Sequence, residues 1–403
     1  METNNTPAGN IGPNEKILAF VLVLGHAVKH FFVAGFFIIL PQIQTHYGLS
    51  NAGAGMISTI RNAGSGLGNL SAGYMADRFN NRWKEMLSVS IVMVGLFHFF
   101  IGWGSSSTWL LINTTIAGVA ISFWHPPAIA ALAERFPQRR GFAISLHGTG
   151  GSIGEALGPL LVGALLTVFL WRTVLQMGII PALITGAITW ITLKNLQGRT
   201  QFDLSLMGYL RSLWQMLRGR GLITTLIVTG GFSASQGIVM TFLPIYLNID
   251  LGFSPLLTAV FVSGSQVVGI GSQPLLGYLS DKYSRKSVLV PSLAILGLLT
   301  IAVPFAGSGA LLLVTVLLMG SVSYSLMSIL LAAGVDQAQG DMPATTISLV
   351  FSSGVIFSAL SPFLAGLLAD STGLSYVFFL AAAIAITLSA FTFFLKWGRV
   401  SNN

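Results

Sequence analysis

Gly73-Tyr74-Met75-Ala76-Asp77-Arg78, with Arg82 four residues on, is answered later in the chain by Gly277-Tyr278-Leu279-Ser280-Asp281-Lys282, with Arg285 and Lys286 following. The offset is 204. Pro41 has its counterpart in Pro244, at an offset of 203. Ala156-Leu157-Gly158-Pro159-Leu160-Leu161-Val162-Gly163 is echoed by Ala359-Leu360-Ser361-Pro362-Phe363-Leu364-Ala365-Gly366, again at 203. Three anchors at one spacing make the second half a repeat of the first. The echoes lie in or beside long apolar runs, so the repeated unit is a set of membrane helices. A parallel repeat of six-helix halves is the architecture of carriers that rock between two open states.

Composition agrees. The chain has 403 residues, 53% hydrophobic and only 8% charged, against roughly 25% charged in an ordinary soluble domain. Its 46 glycines suit helices that must approach closely in lipid, where no hydrophobic drive brings them together. There is no cysteine, which excludes disulfides, thiol catalysis and thiolate metal sites. The first apolar stretch runs too long for a signal-peptide core, so it reads as a retained span.

A span needs about 20 apolar residues. By that measure there are twelve: 17–42, 52–77, 86–105, 109–135, 141–168, 172–194, 221–248, 254–280, 287–306, 309–335, 345–370 and 374–397. The expected organisation is an all-α membrane protein in two pseudo-symmetric bundles, residues 1–194 and 221–403. A linker at 195–220 carries an amphipathic stretch, Leu204–Leu217, suited to a membrane surface. Of the 20 Lys and Arg residues, 17 fall on one side if both termini are cytoplasmic; Arg172 is alone outside, and Lys29 and Arg61 lie within spans. The positive-inside bias therefore places both termini in the cytoplasm of a cell or bacterial inner membrane.

The loop after span 2 and its repeat after span 8 resemble the G-x-x-x-D-[RK]-x-G-[RK]-[RK] signature of the major facilitator superfamily, with Asn80 and Ser284 at the internal glycine. Gly150, Gly154, Gly158-Pro159 and Gly163 of span 5 are similar to the Gly-Pro signature of its proton-driven antiporters. Gly25-His26, the run Gly118 to Phe123 with His125-Pro126, and Ser145 to Pro159 resemble fosmidomycin-resistance-type exporters. Pro127 and Lys29 depart from that group, and no Arg stands in the span 4 stretch Asn113 to Gly118, where the antiporter pattern has one. The resemblance implies the twelve-helix fold, alternating access, and a cavity lined by spans 1, 4, 7 and 10.

Charge within a bilayer usually faces a cavity or a partner. Span 1 carries His26, Lys29 and His30 on one helical face, span 2 Arg61, span 4 His125, and span 5 His147 and Glu155. The repeat-equivalent positions offer Ser233, Ser265 and Ser358, and the second half supplies Gln236, Gln266 and Gln273. The first half thus holds the charge and the second offers hydrogen bonds. His26, Lys29, His30, Arg61, His125, Gln236 and Gln266 are the candidate substrate residues. Two buried cations favour an anionic cargo, Arg through its two-point fork. The alternative is that Lys29 or Arg61 pairs with Glu155 and only ties helices together. Glu155 is the candidate proton carrier and His147 a candidate relay; the alternative for each is a helix-to-helix hydrogen bond. Asp77, Arg78 and Arg82, with Asp281, Lys282 and Arg285, read as gating latches or as plain topology-setting charge. His26 and His30 at i, i+4 flank Lys29, which repels a cation, so no metal is expected. Gly64 and Gly68 suit close packing within the fold more than a dimer, so the expected unit is a monomer.

No P-loop run, nucleophile elbow or zinc signature is present, so the expected protein is not an enzyme and is driven by a proton gradient without a cofactor. The basic surface gives no sign of nucleic acid; the partners are lipid, protons and a small molecule. The leading expectation is a secondary transporter that exports a small anionic or amphipathic compound in exchange for protons. Its rivals are proton-coupled uptake of an organic anion and a non-transporting sensor or lipid-handling protein on the same fold.

Overall fold

The computed structural model describes residues 13–136, 139–194, 196, 207–208, 211, 214–215, 217–337 and 343–395. Span 1 is helix Pro13–Tyr47, span 2 Asn51–Arg78 and span 3 Trp83–Trp103. Span 4 is two pieces, Ser107–Ser122 and His125–Arg135; span 5 is Arg140–Leu165; span 6 is Trp171–Met177 followed by Ile179–Thr192. Span 7 is Arg220–Ile245, prolonged by a wider turn over Tyr246–Asp250. Spans 8 to 12 are Pro255–Lys282, Arg285–Ala302, Ala310–Gln337, Pro343–Thr372 and Tyr376–Phe394. No strand occurs among the described residues.

The helix ends follow from local chemistry, and they repeat. Gly48 and Gly252 both take positive φ, +59° and +67°, after spans 1 and 7. L residues with a side chain rarely adopt that conformation. Two residues later Ser50 and Ser254 each cap the next helix, accepting from Gly53 N and Leu257 N at 3.2 Å. Spans 1, 2, 7 and 11 run past the expected apolar limits at both ends, because a helix continues into water beyond its lipid-buried part, whereas span 12 falls short of them at both ends. Span 4 breaks where Pro126 and Pro127 lack the N–H a continuing helix requires; they open the restarted helix instead.

Ten of the helices are long and apolar enough to cross a membrane by length and composition. Spans 2 and 5 have 28 and 26 residues but are diluted by Gly, Ser and Thr. They are also the spans that pack on the opposite half, span 2 on span 11 and span 5 on span 8. Small residues explain how. A Cβ on Gly55 would fall 2.2 Å from Pro362 O, on Gly366 2.4 Å from Asn51 O, and on Gly163 2.4 Å from Ala259 Cβ. All three contacts sit at the end opposite the two signature loops. There the Asp370 carboxylate accepts Asn51 N–H at 2.7 Å and Ala52 N–H at 3.1 Å, so one half caps a helix of the other. The bundle is thus closed at one end. Most of the linker, including more than half of Leu204–Leu217, lies outside the described residues.

Candidate functional site

Span 5 rides on span 1 backbone to backbone. A Cβ on Gly150 would fall 2.4 Å from Val23 O, on Gly154 2.0 Å from Ala27 O, and on Gly158 2.7 Å from Phe31 O. Glycine at 151 leaves a seat for the His26 ring, whose Cε1 a Cβ there would meet at 2.7 Å. The break in span 4 delivers His125 to the same place, and the adjoining Trp124, fully buried, lies over Gly25.

These backbones bring four of the predicted histidines into one cluster. His26 and His147 stack face to face at 3.9 Å and 4°. His26 meets His30 at 4.5 Å and His125 at 4.8 Å between ring centroids. The His26 Nδ1–H donates to the His147 carbonyl at 2.6 Å, leaving Nε2 as a buried base without a partner among the described residues. Lys29, 2% exposed, donates through Nζ to His125 Nε2. His30 Nδ1 lies 2.7 Å from Glu155 Oε1, so it is a histidine, and neither Lys29 nor Arg61, that sits against the carboxylate.

The cluster has a closed back and an open edge. His26 and His147 form the back, both buried. The His30 and Glu155 side chains keep 17% and 26% of their exposure. His125 faces Phe351 of span 11, with rings 6.4 Å apart and 16° from parallel. Tyr324 of span 10 lies within electrostatic reach of Glu155. The open edge therefore looks at the second half.

Arg61 is placed differently. Its guanidinium donates to the carbonyls of Val33 at 3.1 Å and Phe32 at 3.2 Å and stands 4.7 Å over the Phe36 ring. It braces span 2 against span 1, and its fork is turned into the first half. Gln236 lines a cavity of about 190 Å³ between the halves with Phe37, Asn62, Ser233, Met327 and Ser358. That is room for about six waters, a small molecule and not a peptide. Ser233 and Ser358 are the repeat-equivalents of Lys29 and Glu155, so the second half presents its hydroxyls where the first presents charge. Gln266 is 1% exposed in span 8, with neither amide atom partnered among the described residues. A larger cavity of about 270 Å³ lies between spans 1, 3, 5 and 6, with apolar walls apart from His98.

The latch residues lie at the signature-loop end. Arg285 pairs with Asp281 and, at 2.9 Å, with Asp336 of span 10, all within the second half. Lys282 Nζ lies 5.4 Å from the centre of the Tyr283 ring. Asp77 and Arg82 make no ion pair among the described residues, and Arg78 lies beside the Phe79 ring.

His26, His125 and His147 offer nitrogens all within 4.8 Å of one another, a spacing that invites a metal ion. The orientations oppose it. Parallel stacked rings send their lone pairs along parallel lines and not toward a shared point about 2 Å from each nitrogen. Lys29 also occupies His125 and adds positive charge.

Sequence reasoning missed Asn62, Tyr324, Phe351 and Asp370. Asn62 had a signal, a second polar side chain beside Arg61 inside a span. Asp370 had one too, an acid at a span end, but its partner is 319 residues away. Nothing local marks Tyr324 or Phe351.

The helical arrangement matches known proteins. A family profile for the Major Facilitator Superfamily aligns with residues 22–352 and 263–403. The chain belongs to that superfamily. A bacterial homologue of the human lysosomal transporter Spinster, solved inward-facing and occupied, superimposes with a TM-score of 0.81 at 15% identity, covering 95% of this chain and 97% of that one. The probable 4-methylmuconolactone transporter of Cupriavidus pinatubonensis is 26% identical over 288 residues, 69% of this chain and 66% of the relative. The benzoate transport protein of Acinetobacter baylyi is 24% identical over 66% of this chain and 64% of its own length. The Escherichia coli fosmidomycin resistance protein is 24% identical over 36% of this chain and 35% of its own. The chain thus matches less than two thirds of these relatives' lengths. As a superfamily member it is a multi-pass membrane protein.

Proposed function

We propose that this protein carries a small organic carboxylate together with protons, by alternating access through the cavity between its halves. The observation that carries this is the open edge of the first-half cluster: Lys29, His125, His30 and Glu155 in contact succession, facing the second half. Lys29 supplies the ammonium that binds the anion. His30 and Glu155 hold or release a proton at 2.7 Å from one another. An anion drawn to Lys29 adds negative charge beside these groups, and negative charge nearby favours their protonated forms. Anion and proton therefore load together. That thermodynamic sign supports co-transport over exchange, and uptake over the proton-driven export that the span 5 glycines suggest; those glycines serve the seating of span 1. The relatives named for muconolactone and benzoate support a carboxylic or lactone cargo of a size that suits about 190 Å³. Gln236, Ser233 and Asn62 would hydrogen-bond the neutral part of that cargo.

The signature-loop end is the cytoplasmic end in this reading, with both termini inside the cell's inner membrane, a monomer as the working unit and the proton gradient as the only energy source. Asp370 holds the outer end shut. The experiment is a proteoliposome flux assay with radiolabelled benzoate and an internal pH dye. Benzoate entry accompanied by internal acidification supports co-transport. Internal alkalinisation on benzoate entry restores the export reading, and binding without flux would leave a sensor.

A further inference from the structure

The rings of His125 and Phe351 come from opposite halves, and nothing in the transport cycle described so far uses Phe351. They lie 6.4 Å apart at 16° from parallel. Carbon atoms in contact sit about 3.5–4.0 Å apart, so a flat ring between two faces needs about 7 Å. The separation of the two ring centroids is within about half an ångström of that spacing, and the two rings are carried by opposite halves. His125 is held in place on both sides: Lys29 donates to its Nε2, and its backbone sits at the helix restart fixed by Pro126 and Pro127. Phe351 is 40% exposed and so has an accessible face. On span 11 it lies seven residues, about 10 Å, from Ser358 of the central cavity, toward the signature-loop end.

We propose that His125 and Phe351 form a two-sided clamp between the central cavity and the signature-loop end that selects flat, conjugated carboxylates over puckered ones of the same size. The clamp rests on the organic-anion reading above. The carboxylate pairs with Lys29, one ring away from the clamp, while the conjugated plane slides between imidazole and phenyl. Because one jaw belongs to each half, the rocking motion sets the gap. Flatness is then tested each time the halves approach, and a saturated ring, thicker by its axial hydrogens, does not fit.

Benzoate and cyclohexanecarboxylate test this, since both carry one carboxylate on a six-carbon ring and only one is flat. Binding is measured by competition in detergent-purified, monodisperse protein. Two favourable ring faces predict that wild type prefers benzoate by about 5- to 10-fold. Phe351→Leu should bring the two ligands within about twofold by weakening benzoate alone, and Phe351→Tyr should keep the wild-type ratio. If Phe351→Leu is unstable, Phe351→Met removes the ring at similar length. A ratio unchanged by loss of the ring, or a wild type indifferent to flatness, overturns the clamp and leaves the carboxylate reading standing. If neither acid binds wild type at all, both fall.

Discussion

Asp370→Asn should shift the transporter toward the state open at its currently closed end. The wild-type carboxylate takes both free N–H groups at the start of span 2, at 2.7 and 3.1 Å. It is the only hydrogen-bonded tie between the halves among the described residues. A hydrogen bond to a charged group contributes about 1.5–3 kcal/mol. Asp370 is exposed, so the surface value for an anion at a helix N-terminus, about 0.3–1 kcal/mol, is the better guide to its charge. Asn keeps one acceptor oxygen and loses the charge and the second acceptor. The sum is about 1–2 kcal/mol, or about a 5- to 30-fold change in the ratio of closed to open forms. The chain has no cysteine, so a single pair is easily introduced. Ser105→Cys and Ser308→Cys, exposed on opposite halves at that end, carry spin labels for distance measurement. The long-distance population should grow in Asp370→Asn and should not in Asp370→Glu. An unchanged distance distribution in Asp370→Asn would show that glycine packing alone holds this end shut.

Gly154→Ala puts a Cβ 2.0 Å from Ala27 O and should lower stability by about 1–3 kcal/mol, read as a drop in melting temperature. Lys29→Ala should weaken benzoate binding by about 10- to 100-fold, the worth of a hydrogen bond to a charge, whereas Arg61→Ala should lower the melting temperature and leave affinity within about twofold; equal affinity losses in both would mean that the Arg61 fork turns to the cargo during the cycle. Glu155→Gln should abolish flux driven by a pH gradient while benzoate counterflow persists, and gradient-driven flux that survives would place the proton elsewhere.

The half-to-half repeat was legible from three anchors in the sequence: the signature loop, a proline within a span and a Gly-Pro stretch recur at offsets of 203 to 204. The twelve rods followed from apolar run length. What the run lengths could not show was where helices continue into water or break, as at Phe123 and Trp124, since breakage depends on Pro126 and Pro127 and on what fills the gap. Within the site, charge inside a span pointed to Lys29, His30, His125, His147 and Glu155, which the fold gathers into one cluster. Their partners were not legible. His30 beats both cations to Glu155 because spans 1 and 5 meet backbone to backbone at Gly154, a packing detail invisible in composition. Arg61 seemed a cavity cation by the same rule and turns instead to the carbonyls of span 1. Tyr324 and Phe351 belong to the site only through the meeting of two halves, and no property of either residue's neighbours in sequence signals it.

Joint loading of anion and proton at the Lys29–His125–His30–Glu155 edge is open to direct calorimetry. Benzoate is titrated into wild-type protein in buffers of different ionisation enthalpy, which yields the number of protons taken up per anion bound. Net uptake that disappears in Glu155→Gln is the expected result. Binding with no proton exchange, or with proton release, would contradict co-transport at this cluster.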